Sequence, residues 1–240
     1  MGLVRFRALA CDFDGTIATD GAVAPATLAA LEGVRASGRK LLLVTGRTGP
    51  QLEAVFGGWD VFDRIVLENG ALLVDPSVGA ERLLCAPVSP RLVDELRRRG
   101  VEPMAVGRAV CAAGVGHLES IRAAIRDLGL RLHTVVNRGG VVVLPVGVSK
   151  ASGTASALRE LGETAAACVA AGDAENDLPM LGLAGCGVAV ANALAEVKAA
   201  SDLVTSRPDG AGIAELAAGL LADDLAAALA GFGGLGSARR

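Results

Sequence analysis

The chain of 240 residues is expected to adopt an α/β fold, a parallel sheet flanked by helices and interrupted by a smaller α+β insert. Three observations lead there. Short, continuously apolar runs alternate with helical patterns, as strands covered on both faces do. The residues able to do chemistry gather just after those runs, where open α/β sheets bind their ligands. Between residues 87 and 146 the rhythm changes to helix–strand–strand, repeated once, which predicts an antiparallel sheet.

The elements follow in order. Residues 8–11 are an apolar run that reads as a buried strand, and Asp12-Phe13-Asp14-Gly15-Thr16 follows at its end. Pro25 occupies a helix-start position, Leu28, Leu31 and Val34 recur at helical spacing, and Gly38 closes that helix. Residues 40–44 form a second strand ending in Thr45-Gly46-Arg47. A helix over about 50–56 precedes a third strand, 64–67, which ends in Glu68-Asn69-Gly70-Ala71. Residues 72–74 and 82–84 then read as a hairpin or flap.

In the insert, Ser89-Pro90 starts a helix carrying Leu92, Val93 and Leu96 on one face, and Gly100 stops it. Extended runs at 103–106 and 109–113 precede a second helix marked by Leu118, Ile121, Ile125 and Leu128. A hairpin joins 132–136 to 141–144 across Asn137-Arg138-Gly139-Gly140. The expected division is a main domain of residues 1–86 and 147–240 with the insert over 87–146. After it, Ser149 caps a helix whose first turn holds Lys150. A strand over 166–171 leads into Gly172-Asp173-Ala174-Glu175-Asn176-Asp177. Further strands at 186–190 and 202–204 flank a helix at 193–200, the last helices begin near Gly212, and the glycine-rich tail at 233–237 is expected to fray.

Composition narrows the function classes. With a net charge of −3 and no basic stripe, nucleic acid is not an expected partner. Five scattered cysteines without Cys-x-x-Cys spacing read as small buried hydrophobes in a reducing compartment. No apolar stretch precedes Asp12 as a signal peptide would, and none is long enough to span a bilayer, so a cytoplasmic protein, monomeric or homodimeric, is expected.

Asp12 and Asp14, one residue apart at a strand end, repel each other unless a cation or a shared proton relieves them. Mg²⁺ is the natural relief, since it takes oxygen ligands and is held by one or two carboxylates with a phosphate. No ladder of further oxygen ligands follows, which excludes an EF-hand. Thr45, Gly46 and Arg47 offer a hydroxyl, a bare backbone N–H and a guanidinium, a phosphate cradle or else an ordinary strand-to-helix turn. Lys150 in a first helical turn opposes the helix dipole and so suggests an anion to meet, the alternative being a solvated lysine.

In their order along the chain, Asp-x-Asp-Gly-Thr, Thr-Gly-Arg, the helix-start Lys150 and Gly-Asp-x-x-Asn-Asp closely resemble the haloacid dehalogenase superfamily of Mg²⁺-dependent phosphohydrolases. Glu68-Asn69-Gly70-Ala71, Gly147-Val148-Ser149-Lys150 and Val188-Ala189-Val190-Ala191-Asn192 are similar to subclass IIB, the Cof-like group, whose type II (C2) cap lies where the insert lies. Ala191 departs from the glycine many relatives carry. The resemblance implies a Rossmann-like core and a phosphatase, with a sugar phosphate or a phosphoglycolate-like acid as its small phosphomonoester. Dehalogenases lack the second Asp, so dehalogenation is not expected.

The resemblance further implies Asp12 as nucleophile and Asp14 as general acid and base. Mg²⁺ would be held by Asp12, the Asp14 backbone carbonyl and Asp173. Thr45, Gly46, Lys150 and Asn176 would hold the phosphoryl group. Asp177 would orient Lys150 or a metal-bound water, with Arg47 and Asn192 supporting. Cap candidates for reading the leaving group are Arg108, His117, His133 and Arg138. The scarcity of aromatics argues against a substrate recognised by stacking. A phosphomutase of the same superfamily and a non-catalytic binding protein on this fold are the alternatives.

Overall fold

The computed structural model describes residues 4–137 and 139–232; the tail at 233–237 lies outside them. β1 (Ala8–Asp12) has all five residues buried. α1 (Pro25–Ala36) returns the chain to β2 (Lys40–Val44), and the short α2 (Gly49–Glu53) leads on to β3 (Arg64–Leu67). β4 (Leu72–Asp75) and β5 (Ala80–Leu83) follow. The insert comprises α3 (Pro90–Arg98), β6 (Met104–Val106), β7 (Cys111–Gly114), α4 (Leu118–Asp127), β8 (Leu132–Asn137) and β9 (Gly140–Pro145). The chain resumes with α5 (Lys150–Glu160), β10 (Cys168–Gly172), α6 (Leu178–Leu183), β11 (Cys186–Ala189), α7 (Ala195–Ala200), β12 (Leu203–Val204), α8 (Asp209–Asp223) and α9 (Ala226–Phe232).

The main sheet has eight strands in the order β12-β11-β10-β1-β2-β3-β4-β5, parallel from β12 through β3. From β1 the chain winds outward through β2 and β3; from β10 it winds the other way. The order therefore reverses between β1 and β10, and a crevice opens at the carboxyl ends of those strands. The expected hairpin forms between β4 and β5, and it joins the main sheet because β4 also pairs antiparallel with β3. The tight reversal at 68–70 that permits this has positive φ at Glu68, Asn69 and Gly70.

With few aromatics, the core is built from Ala, Val, Leu and Ile around Phe6, Phe13 and Phe62. Small side chains in the middle strands, such as Ala10 opposite Ala170, let helices approach closely. α2 ends at Glu53, short of the expected boundary, and Phe56 packs its ring 5.5 Å from that of Phe13. α8 begins at Asp209, three residues before the expected Gly212. Gly210 and Gly212 lie inside this helix because it runs tight against its neighbours: a Cβ on Gly210 would meet Thr27 Oγ1 at 2.3 Å. All five cysteines are free.

In the insert, β6-β7-β9-β8 form a separate antiparallel sheet. The amphipathic faces expected of α3 and α4 cover it: Leu92, Leu96, Ile121 and Ile125 cluster with Cys111, Val141 and Val143. A second cluster joins Ala109, Val110 and Leu144 of the insert to Ala71 and Val148. Apolar burial thus seams the two sheets together. Among the described residues, no helix is long and apolar enough to cross a membrane.

α5 packs tightly against the main sheet. A Cβ on Gly153 would stand 2.5 Å from Val66 Cγ1 and 2.6 Å from Gly70 Cα. Ala at a helix interior is favoured over Gly by about 1 kcal/mol, but overpacking here costs about 1–3 kcal/mol. The clash against backbone decides the sign, so Gly153→Ala is expected to lower stability in urea unfolding, with an unchanged m value.

Candidate active site

Four strand-end loops meet in the crevice. Asp12, the last residue of β1, is 4% exposed. Its loop turns at Gly15 (φ 77°), and Thr16 Oγ1 donates to Asp173 Oδ1 at 3.2 Å. Thr45, after β2, is fully buried, and its carbonyl accepts the Asn69 N–H at 3.0 Å. A Cβ on Gly46 would lie 2.9 Å from Asn69 Nδ2, so glycine is what lets Asn69 sit against this loop.

Ser149 caps α5, accepting the Ser152 N–H, and so fixes the first turn from which Lys150 reaches inward. The ammonium is 2% exposed and bridges two carboxylates, Asp12 Oδ1 at 2.5 Å and Asp177 Oδ1 at 2.6 Å. Asp177 is held in turn, because its Oδ2 accepts the N–H groups of Asp173 and Ala174, each at 3.0 Å. A Cβ on Gly172 would stand 2.5 Å from that of Asp177, so the glycine before Asp173 makes room for this arrangement. The sequence could not tell a solvated Lys150 from a buried one; here it is the centre of the site.

Asp12, Asp173 and Asp177 offer carboxylate oxygens within 4.8 Å of one another, all buried. Three buried carboxylates gather near one buried ammonium in a place of low dielectric, where unbalanced negative charge is costly. An all-oxygen donor set of buried carboxylates fits a divalent cation such as Mg²⁺. In the protein alone, burial pushes the Asp12 carboxyl up to about 7, Asp177 adds to this, and Lys150 pulls the other way. Burial on its own would lower Lys150, but Asp12 and Asp177 outweigh it and hold the ammonium above its usual range.

Asp14 is turned away from the acid cluster. Arg47 grips its carboxylate two-pronged, Nε at 2.8 Å and Nη2 at 2.7 Å, and lies over the Phe13 ring. Asn176 Nδ2 donates to Asn69 Oδ1 at 2.9 Å. Asn192 bridges the Gly15 carbonyl and Asp209, tying the first loop to the start of α8. A cavity of about 190 Å³ is lined by Asp12, Asp14, Arg47, Lys150, Asp173 and Asn176, and on the insert side by Ala112, Asn137, Gly140, Val141 and Val142. A larger cavity of about 560 Å³, between α1 and α8, holds no comparable group of acids, so the chemistry singles out the smaller one.

Of the insert residues expected to read the leaving group, Arg108, His117 and His133 do not line this cavity. The Arg108 side chain pairs with Glu81 and is half-exposed at the seam between the sheets. His117 Nε2 lies 3.2 Å from the Glu102 carbonyl. His133 lines a separate cavity with Arg122 and Arg126. It stands four residues, about 13 Å along a strand, from Asn137. Arg138 lies outside the described residues. The sequence assigns no site role to Asn137, a turn residue by its spacing, or to Glu68 and Asn69, which it marks only as part of a strand-end motif and a hairpin signal. A carboxylate at the end of β3, matching those after β1 and β10, was the cue for Glu68.

A model of the haloacid dehalogenase-like hydrolase family matches residues 9–98 and 113–216. The chain is 30% identical over 223 residues to a phosphoglycolate phosphatase of Archaeoglobus fulgidus, covering 87% of this chain and 94% of that protein. It is 31% identical over 222 residues to a phosphoglycolate phosphatase of Methanoculleus marisnigri, with the same coverage, 87% and 94%. In fold it is similar to a HAD/COF-like hydrolase from Plasmodium vivax, at a TM-score of 0.77 and 17% identity over 91% of this chain and 96% of that one. It is likewise similar to a HAD subclass IIB sugar phosphatase, at 0.71 and 21% identity over 88% and 97%.

The crowded acids make a stability test. A carboxyl raised from 3.8 to about 7 contributes stability that is complete below pH 4 and is lost as the pH rises toward 7. In the presence of a chelator, Asp12→Asn is therefore expected to raise the thermal midpoint at pH 8 by about 3–8 °C and to leave it nearly unchanged near pH 4. Calorimetry across that range checks both the size and the sign.

Proposed function

The chain belongs to the haloacid dehalogenase-like hydrolase family and is a phosphatase; from this we propose that it hydrolyses a small phosphomonoester through an aspartyl-phosphate on Asp12, with Mg²⁺ as cofactor. The observation that carries the reading is the buried Lys150 holding the Asp12 carboxylate at 2.5 Å beneath a small cavity.

The division of labour follows from the geometry. Asp12 attacks phosphorus and the leaving oxygen departs on the opposite side, forming the acyl phosphate; water then attacks that phosphorus and regenerates the carboxylate. Lys150, anchored by Asp177, aims its ammonium at the oxygens of the transferring group. The Thr45 hydroxyl and the Gly46 N–H complete the cradle, where positioning and charge neutralisation supply most of the catalysis. Asp14 hands a proton to the leaving oxygen and later takes one from the attacking water. Arg47 fixes the direction of that carboxyl and occupies both its oxygens, so one of the two contacts opens as Asp14 turns to the substrate.

Asp12, Asp173 and the Asp14 carbonyl would hold Mg²⁺, with Asp177 beside them. When bound, the ion offsets the charge of the acid cluster and of the phosphoryl oxygens. Residues 87–146 serve as the cap that excludes water over the site. The cavity of about 190 Å³ supports a small leaving group, since pockets for drug-sized ligands run to ~300–1,000 Å³. The phosphoglycolate phosphatases among its relatives point the same way, and a two-carbon acid phosphate such as phosphoglycolate is the substrate proposed first.

Phosphate release from a panel of acid and sugar phosphates, with and without Mg²⁺, tests this. Mg²⁺-dependent release concentrated on phosphoglycolate is expected, and Asp12→Asn should lower it by at least about 10³-fold. Turnover that survives Asp12→Asn would overturn the aspartyl-phosphate route. A preference for hexose phosphates would overturn the substrate assignment alone.

A further inference from the structure

Glu68 belongs to none of the steps above, yet it is 1% exposed and charged. Its two carboxylate oxygens accept from consecutive backbone groups of the insert, the Arg108 N–H at Oε1 and the Ala109 N–H at Oε2, both at 2.9 Å. Bonds of this kind, to an ionised acceptor, are about twice as strong as neutral ones. The approach is close enough that a Cβ on Gly107 would stand 2.5 Å from Oε1. The side chain thus spans from the end of β3 to the β6–β7 turn of the other sheet, where Ala109 and Val110 begin the apolar seam with Ala71.

The backbone under this side chain is unusual. Glu68, Asn69 and Gly70 take φ of 53°, 54° and 105° in succession. For residues other than glycine such a conformation persists only where surroundings enforce it. Those surroundings are the phosphoryl cradle itself. The Glu68 N–H donates to the Arg47 carbonyl and the Asn69 N–H to the Thr45 carbonyl, both at 3.0 Å. The Asn69 side chain receives Asn176 and rests on Gly46. Gly70 lies so near the Ser149 carbonyl, one residue before Lys150, that a Cβ would sit 1.9 Å from it. One three-residue turn therefore touches the cradle loops on one side and holds the insert on the other.

We infer that Glu68 is a positioning residue that couples the seating of the cap to the phosphoryl-binding loops; the inference rests on the phosphatase reading of the site. Lifting the cap breaks both bonds and exposes the carboxylate to water. Seating it returns the carboxylate to the β6–β7 turn, while Asn69 and Gly70, held against the loops that carry Gly46, Asn176 and Lys150, fix the base from which Glu68 reaches. Glu68 touches no reacting atom, so its removal changes how the enclosed site is assembled rather than the chemistry within it.

The test uses Glu68→Gln, in which an amide N–H would face one of the two donors, and Gly107→Ala, which crowds the same contact from the cap side. Two readouts are taken on the full chain. In hydrogen exchange, amides in residues 107–111 should exchange at least about tenfold faster in either variant, while the α8 amides keep wild-type protection. In kinetics with Mg²⁺, kcat/KM for phosphoglycolate should fall by about tenfold or more. Hydrolysis of p-nitrophenyl phosphate, whose good leaving group needs neither a proton donor nor recognition by the cap, should stay within about twofold. The double variant should lose little more than either single one, because both break one contact. Unchanged exchange at 107–111, equal losses on both substrates, or additive losses would each overturn the inference. A wild-type protein that releases no phosphate from either compound would instead overturn the phosphatase reading, and the exchange measurement would still decide whether Glu68 holds the cap.

Discussion

The bridge from Lys150 to Asp12 and Asp177 is the interaction on which the rest of the site depends. Buried carboxylates at this density are tolerable only when each has a partner, and the fold supplies those partners from separate elements. The ammonium comes from the first turn of α5, and the N–H groups that hold Asp177 come from the end of β10. Breaking any of these leaves an uncompensated charge. The cluster of three buried carboxylates is one that could hold a metal ion.

Holding these charges together demands close backbone approach, and glycine is where the chain provides it. Gly172 admits the Asp177 side chain, Gly46 admits Asn69, and Gly153 lets α5 settle against Val66 and the turn at 68–70. The aromatic-poor, alanine-rich core serves the same end, since small side chains in β1 and β10 keep the layers near each other. The 68–70 turn then relates the two sheets, with Glu68 on the insert and Asn69 and Gly70 on the loops of the main sheet.

Much of this was legible in the sequence because strand ends are. Continuous apolar runs marked β1, β2, β3 and β10, and the polar residues just past them, from Asp12 to Asp177, fell at the sheet edge that binds ligands. The helix faces of the insert were readable by the same logic, through Leu92, Leu96, Ile121 and Ile125. Where local pattern stopped short, a tertiary contact had taken over the residue. α8 begins at Asp209, earlier than the expected Gly212, because Gly210 lets it pack close to Thr27; the hairpin of residues 72–84 not only forms but completes the edge of the sheet. Arg108 and His133 looked like substrate readers by residue type, yet one is taken up by Glu81 and the other sits far down β8.

The sequence by itself determined the α/β class, the four motif-bearing strand ends and the chemical kind of the site, because periodicity and residue type are local properties. Only the tertiary structure decided that Lys150 is buried between two acids, that Arg47 grips Asp14, that Glu68 reaches the insert, and that Asn137 rather than a histidine faces the cavity. Those are distances between residues up to 138 positions apart. They are fixed by the order in which strands pair and by which side chains are small enough to let the layers meet.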